Sequence, residues 1–126
     1  MFEAGSDLTG KTAEDVLFSD FKAFHLGETN VGIGQVCLMT ERACAEAEAL
    51  LLPYLETARE KTGVSALFFM LTNTPTQSTR VLFAGEEAAE LLNKAFQEPV
   101  RGRVVVLPGI VSRKKQFLPQ LKAATR

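Results

Sequence analysis

A cluster of basic residues near the C-terminus is the part of this sequence best suited to chemistry. Ser112 is followed by Arg113, Lys114 and Lys115, and the largely apolar run 103–107 before them predicts a buried strand. Serine is a preferred N-cap, so the pattern predicts a helix that begins with three cations. A helix N-terminus is already positive, and each cation there is unfavourable by about 0.3–1 kcal/mol. A bound phosphate would reverse that sign, so the cluster predicts an anion site.

The same three cations also fit an ordinary solvated turn, because Gln116 and Lys122 would continue a polar face. A contrast within the chain favours the binding hypothesis. The helix predicted after Gly85 begins with Glu86 and Glu87, which is the charge that the helix dipole prefers at this end.

Residues 108–116 read Pro-Gly-Ile-Val-Ser-Arg-Lys-Lys-Gln. This stretch closely resembles the Ser-Arg-Lys-Lys-Gln signature of the DHHA2 domain, the C-terminal domain of manganese-dependent (family II) inorganic pyrophosphatases and some exopolyphosphatases. Residues 20–24 and 31–36 resemble the segment with which that domain begins. The resemblance covers nearly the whole chain in length and element order, although its specific motifs are confined to these stretches.

The resemblance implies three substrate-binding residues, Lys22, Arg113 and Lys114, which would hold the phosphates of pyrophosphate. Lys115 and Gln116 complete the motif without an assigned role. In the family, the Mn²⁺ ions (or Mg²⁺ or Co²⁺) and the attacking water belong to a separate N-terminal DHH domain of the same chain. No Asp-His-His stretch occurs here, so we expect no catalytic and no metal-binding residue in this sequence.

Three functions remain open at this point. The first is the C-terminal pyrophosphate-binding domain of a manganese-dependent inorganic pyrophosphatase, a hydrolase that is inactive without its DHH domain and is expected to be a homodimer at full length. The second is the corresponding domain of an exopolyphosphatase. The third is a free-standing anion-sensing or interaction module, which alone would survive if the native gene began at Met1.

Composition sets wider limits on the molecule. The chain has 126 residues, 46% of them hydrophobic and 23% charged, with a net charge of −1. Residues 1–10 are expected to be a linker or a frayed terminus, and residues 11–126 a single domain. The charge gives no general attraction to nucleic acid, and no run is long enough to span a membrane. With no signal-peptide pattern, a cytoplasmic protein is expected.

Two cysteines and one histidine give little support for a disulfide or metal site. Cys37 and Cys44 are expected to be buried free thiols, because two cysteines in a domain of this size do not form a disulfide framework. His25 is the only histidine, and no metal-binding spacing of Cys or His occurs. We expect His25 to be a packing or surface residue.

Hydrophobic periodicity predicts a mixed α/β fold with the order α-β-β-α-β-β-α-β-α. The sheet is expected to have about five strands with helices on both faces. Residues 64–71 are almost wholly apolar and should form its central strand, and residues 72–79 form a polar loop. A long helix over 41–61 should kink or divide at Pro53. Gly32 and Gly34 leave one face of a strand open to another backbone or a ligand.

Overall fold

The computed structural model describes residues 12–73, 78–96 and 104–107. Four helices and five strands lie in this part of the chain. Their order is α1 (Ala13–Leu17), β1 (Phe21–Leu26), β2 (Thr29–Leu38), α2 (Glu41–Leu51), α3 (Leu55–Thr62), β3 (Ala66–Asn73), β4 (Ser78–Ala84), α4 (Glu86–Phe96) and β5 (Val104–Leu107). Turns of 3-10 helix at Phe18–Asp20 and Leu52–Tyr54 join α1 to β1 and α2 to α3.

The five strands form one mixed sheet in the order β1-β2-β3-β4-β5. β2 and β3 are parallel, and every other neighbouring pair is antiparallel. The helical crossover α2–α3 separates the parallel strands, as such pairs require, whereas short connections join β1 to β2 and β3 to β4. The predicted mixed sheet and its central third strand are therefore confirmed.

Each face of the sheet carries its own apolar core. One face packs against α1, α2 and α3, and buried side chains from these helices and from the strands form its core: Leu17, Leu38, Leu51, Leu55, Leu67, Phe69 and Leu71. The other face packs against α4, with a core of Ile33, Phe68, Met70, Val81, Phe83, Leu91 and Leu92. Adjacent phenylalanines in β3 thus serve opposite layers, because successive strand residues point to opposite faces.

Local hydrogen bonds and backbone conformation mark the helix ends, and the predicted division of the long helix at Pro53 is confirmed. Thr12 and Thr40 each accept a hydrogen bond from a backbone N–H in the first turn of α1 and α2, at 3.0 Å in both cases. Pro53 lies in the 3-10 turn that divides the long helical segment, since proline cannot donate a hydrogen bond to the preceding helix. Gly63 ends α3 with a φ of 73°, a left-handed conformation that suits glycine.

The predicted loop over 72–79 was too long. Thr72 and Asn73 belong to β3, while Ser78 and Thr79 belong to β4, so only residues 74–77 remain between the strands. The hydroxyls of Thr72 and Thr79 hydrogen-bond to each other at 3.0 Å across the two strands. Polar residues were interpreted as turn formers, but cross-strand pairing satisfies them within the sheet.

The burial of one cysteine and the neighbours of the two strand glycines differ from expectation. Neither cysteine forms a disulfide, but only Cys44 is buried and Cys37 is half-buried. A Cβ on Gly32 would lie 2.5 Å from the Phe21 ring, and one on Gly34 would lie 2.6 Å from the Phe69 ring. The glycines therefore make room for aromatic packing.

Several sequence predictions lie outside the described residues. They include the linker at 1–10, the final helix, and the motif residues Arg113, Lys114, Lys115 and Gln116.

Candidate functional site

Lys22 is exposed on the edge strand β1, on the face of the sheet that packs against α4. Its cross-strand partner is Ile33 in β2, and Ile33 in turn pairs with Phe68 in β3. Both partners belong to the apolar core on the α4 side. Alternation along β1 thus sends Lys22 to this face, and its place at the edge of the sheet leaves the ammonium accessible.

Arg113 and Lys114 lie outside the described residues, so the structure does not test their convergence with Lys22. It does describe the strand that leads into the motif. Leu107, the last residue of β5, pairs with Thr79, which pairs with Thr72, and Thr72 pairs with Cys37. The chain therefore leaves β5 at the end of the sheet where β2 and β3 also finish.

The register limits how the motif can approach Lys22. Lys22 and Leu107 lie four strands apart across the sheet and four residues apart along the strands. Ideal strand spacings convert this offset into about 23 Å between their Cα atoms on a flat sheet. Leu107 and Arg113 are six residues apart, and six residues can span at most about 22 Å. An extended backbone therefore falls just short of this distance, and a meeting of Arg113 with Lys22 would need the reach of both side chains.

The α4-side face becomes polar toward this same end. Beyond the row of Ile33 and Phe68, the next row pairs Gln35 with the buried apolar residues Met70 and Val81. The last row presents Cys37, Thr72 and Thr79. Thr79 is fully buried and Gln35 is half-buried. The Gln35 amide oxygen is buried without a hydrogen-bond partner among residues 12–73, 78–96 and 104–107. Sequence reasoning missed this polar strip, although Gln35 follows Ile33 by two residues and so shares its face.

Arg80, which also lies near this end, is held by acids on the opposite face. Its guanidinium forms ion pairs with Glu41 and with Glu48, the latter at 3.0 Å, and its side chain is 24% exposed. The Asn73 amide also donates to Glu41 at 3.3 Å. Because two carboxylates already neutralise it, Arg80 is poorly placed to bind an external anion.

A groove of about 570 Å³ lies at the other end of the sheet, where β3 begins and β4 finishes. Its walls carry one cation and three acids, together with small residues: Arg59, Glu60, Gly63, Val64, Ser65, Gly85, Glu86 and Glu87. Arg59 is itself paired with Glu56 at 2.9 Å. The excess of negative charge makes this groove unsuitable for pyrophosphate.

No metal centre or activated nucleophile was found in the described part of the chain. No group of three or more His, Cys, Asp or Glu side chains there could hold a metal ion. His25 is exposed on β1, as a surface histidine. Burial raises the pKa of the Cys44 thiol, which keeps it protonated at neutral pH. Hydrogen bonds from Lys61 and Tyr54 lower the pKa of Glu14, whose role is to join α1 to α3.

Comparison with known proteins identifies the family of this chain. The family model described as the DHHA2 domain matches residues 1–124. The chain belongs to the DHHA2 domain family. The family resemblance predicted from residues 20–36 and 108–116 is therefore confirmed over the whole domain.

Relatives of this DHHA2 domain are inorganic pyrophosphatases. A probable manganese-dependent inorganic pyrophosphatase of Clostridium acetobutylicum is 36% identical over 124 residues, which are 98% of this chain and 40% of the relative. A cobalt-dependent inorganic pyrophosphatase of Clostridium perfringens is 32% identical over 121 residues, which are 96% of this chain and 22% of the relative. The DHHA2 chain thus spans less than half the length of these relatives.

A solved structure gives the same result for the fold. The crystal structure of a Methanococcus jannaschii protein, described as a putative family II inorganic pyrophosphatase, superposes with a TM-score of 0.81 at 31% sequence identity. The match covers 94% of this DHHA2 chain and 38% of that protein. No helix in the described ranges of the DHHA2 domain is long and apolar enough to cross a membrane.

Proposed function

We propose that this DHHA2 domain is the C-terminal, substrate-binding part of a manganese-dependent inorganic pyrophosphatase, which hydrolyses diphosphate to two phosphates. The observation that carries the proposal is the match of nearly the entire chain to pyrophosphatases of which it forms only about two fifths. Such a fraction is expected of one domain that acts together with another. The exposed Lys22, on the sheet face that turns polar toward the end of β5, supports a site for an anion.

Lys22, Arg113 and Lys114 are the proposed substrate-binding residues. Three cations around one pyrophosphate would neutralise its negative charge and fix the orientation of the phosphates before reaction. They would also stabilise the charge that develops on the leaving phosphate, because that charge is greater in the transition state than in the bound substrate. Arginine suits this task because its planar guanidinium can bind two phosphate oxygens at once.

The relatives are named as manganese- or cobalt-dependent enzymes. The described residues of this domain do not fit such a metal, because no suitable group of ligands occurs among them. We therefore assign the metal ions to a DHH domain in the remainder of a longer chain. The proposal also includes a homodimeric full-length enzyme in the cytoplasm, without nucleic-acid or membrane partners; the net charge of −1 agrees with the absence of a nucleic-acid partner.

Calorimetric titration of pyrophosphate into the 126-residue chain tests the binding site. We expect measurable binding that weakens as the salt concentration rises, since the contacts are between charges. Lys22→Ala, Arg113→Ala and Lys114→Ala should each weaken binding by about tenfold or more, the value of one charge-assisted hydrogen bond.

Arg42→Ala is the matched control for the loss of one positive charge. Arg42 lies on α2, which packs on the opposite face, and its side chain is 89% exposed beside Glu46. Its replacement should leave the affinity for pyrophosphate unchanged. Equal affinities for the control and for all three site variants would disprove the assignment.

A further inference from the structure

The buried amide oxygen of Gln35 is the feature of the α4-side face that the proposed function has not yet explained. The Oε1 atom is shielded from solvent, and no hydrogen-bond donor reaches it from the residues that the structure describes. A buried acceptor without a donor destabilises a protein, so such an atom is expected to meet a partner in the functional state. The neighbouring Thr72 and Thr79 instead satisfy each other at 3.0 Å.

The position of Gln35 indicates which donor that partner is. Lys22 lies directly opposite Ile33, and Gln35 is the next residue of β2 on the same face. Diagonal neighbours in an antiparallel pair lie about 7–8 Å apart, with their Cβ atoms somewhat closer, and this is within reach of long side chains. A lysine ammonium carries three N–H donors and no acceptor, so it can bind an amide oxygen and a phosphate at the same time.

We propose that Gln35 is a positioning residue for Lys22 in pyrophosphate binding. Its Oε1 accepts one hydrogen bond from the Lys22 ammonium and directs the remaining N–H groups toward the phosphate oxygens. The free site retains an unsatisfied acceptor, and binding of the anion draws Lys22 into the ordered position in which this acceptor is paired. This inference rests on the proposed function, because it assigns Gln35 a role only through Lys22.

Gln35→Leu is the decisive substitution because it removes the amide and keeps a similar volume. Titration of pyrophosphate into the 126-residue chain should show about fivefold weaker binding, the contribution of a typical hydrogen bond. The melting temperature of the unliganded chain should be unchanged or higher, since the variant replaces a buried unsatisfied acceptor by an apolar group. If Gln35 had a purely structural role, its replacement would instead lower the melting temperature of the unliganded chain.

A double-mutant cycle tests whether Gln35 acts through Lys22. In a Lys22→Ala background, Gln35→Leu should cause no further loss of affinity, because the group that it positions is absent. In an Arg42→Ala background, which removes a charge from the opposite side of the sheet, the fivefold loss should remain complete.

The outcomes separate this inference from the function on which it rests. If Lys22→Ala weakens binding but Gln35→Leu does not, the role of Gln35 is disproved and the binding site stands. If Gln35→Leu lowers the melting temperature and weakens binding equally with and without Lys22, Gln35 is a structural residue. If the unmodified chain does not bind pyrophosphate at all, both the proposed site and the role of Gln35 are rejected.

Discussion

Two glycines in β2 lie where neighbouring atoms leave little room for a larger side chain. Gly34 faces the fully buried ring of Phe69 and the backbone carbonyl of Leu17, at 2.6 and 3.1 Å from the position of a Cβ. Gly32 faces the half-buried ring of Phe21, which has room to move. The sequence indicated that something approaches this strand closely, but it could not distinguish an aromatic ring from a ligand.

Gly34→Ala should destabilise the domain by about 1–3 kcal/mol, because the new methyl group overpacks a core that cannot shift. Gly32→Ala should cost less, since Phe21 can move and alanine is favoured over glycine in a strand by about 0.5–1 kcal/mol. Urea denaturation of both variants measures these free energies of unfolding. An equal decrease in the free energy of unfolding for the two variants would show that Phe69 and Leu17 move aside as easily as Phe21.

Among the proposed binding residues in the described ranges, Lys22 could be placed from the sequence and Gln35 could not. The family resemblance of segment 20–24 marked Lys22, and the structure puts it on an exposed edge strand. Gln35 gave no sequence signal of its own, because its importance depends on a missing donor and on diagonal proximity to Lys22. Such facts exist only once the strand register is known.

Ion pairs join elements that are distant in the chain. Arg80 of β4 pairs with Glu41 and Glu48 of α2, and Glu41 also accepts from Asn73 of β3. Helix α2 is thereby attached to the end of the sheet at which β5 leads toward the Ser-Arg-Lys-Lys-Gln motif. No local sequence pattern links positions 32 or more residues apart, so this cluster was not predicted.

Arg80→Ala should lower the free energy of unfolding by about 1–3 kcal/mol, because it leaves the largely shielded carboxylate of Glu48 without its cation. Arg42→Ala removes an exposed pair with Glu46 on α2 and should change stability by less than about 0.5 kcal/mol. Chemical denaturation of both variants provides the comparison. If Arg80→Ala changed the free energy of unfolding as little as Arg42→Ala, solvent would screen the ion pairs of Arg80 as well.

Under the proposed function, the domain as a whole is expected to bind pyrophosphate without hydrolysing it. It spans 40% of the Clostridium acetobutylicum relative, and its described residues offer no metal site. Phosphoryl transfer to water depends on metal-activated nucleophiles in enzymes of this kind.

Pyrophosphate incubated with the 126-residue chain and Mn²⁺ should therefore release no phosphate above the background rate. A longer protein that adds a DHH domain to this chain should show turnover, and Lys22→Ala in it should reduce that turnover. Phosphate release is measured colorimetrically. Turnover by the 126-residue chain alone would reveal a metal site that the sequence and the described residues do not show.

The sequence by itself determined the family and most of the elements in the described ranges. Threonine caps, the proline break, the left-handed glycine and the apolar run of β3 act within a few residues, so local chemistry fixes them. Tertiary structure alone decided strand order, register, the limits of the β3–β4 connection and the partners of Gly34, Arg80 and Gln35. These depend on which distant residues meet when the two faces of the sheet are buried, and register determines the face on which each side chain lies.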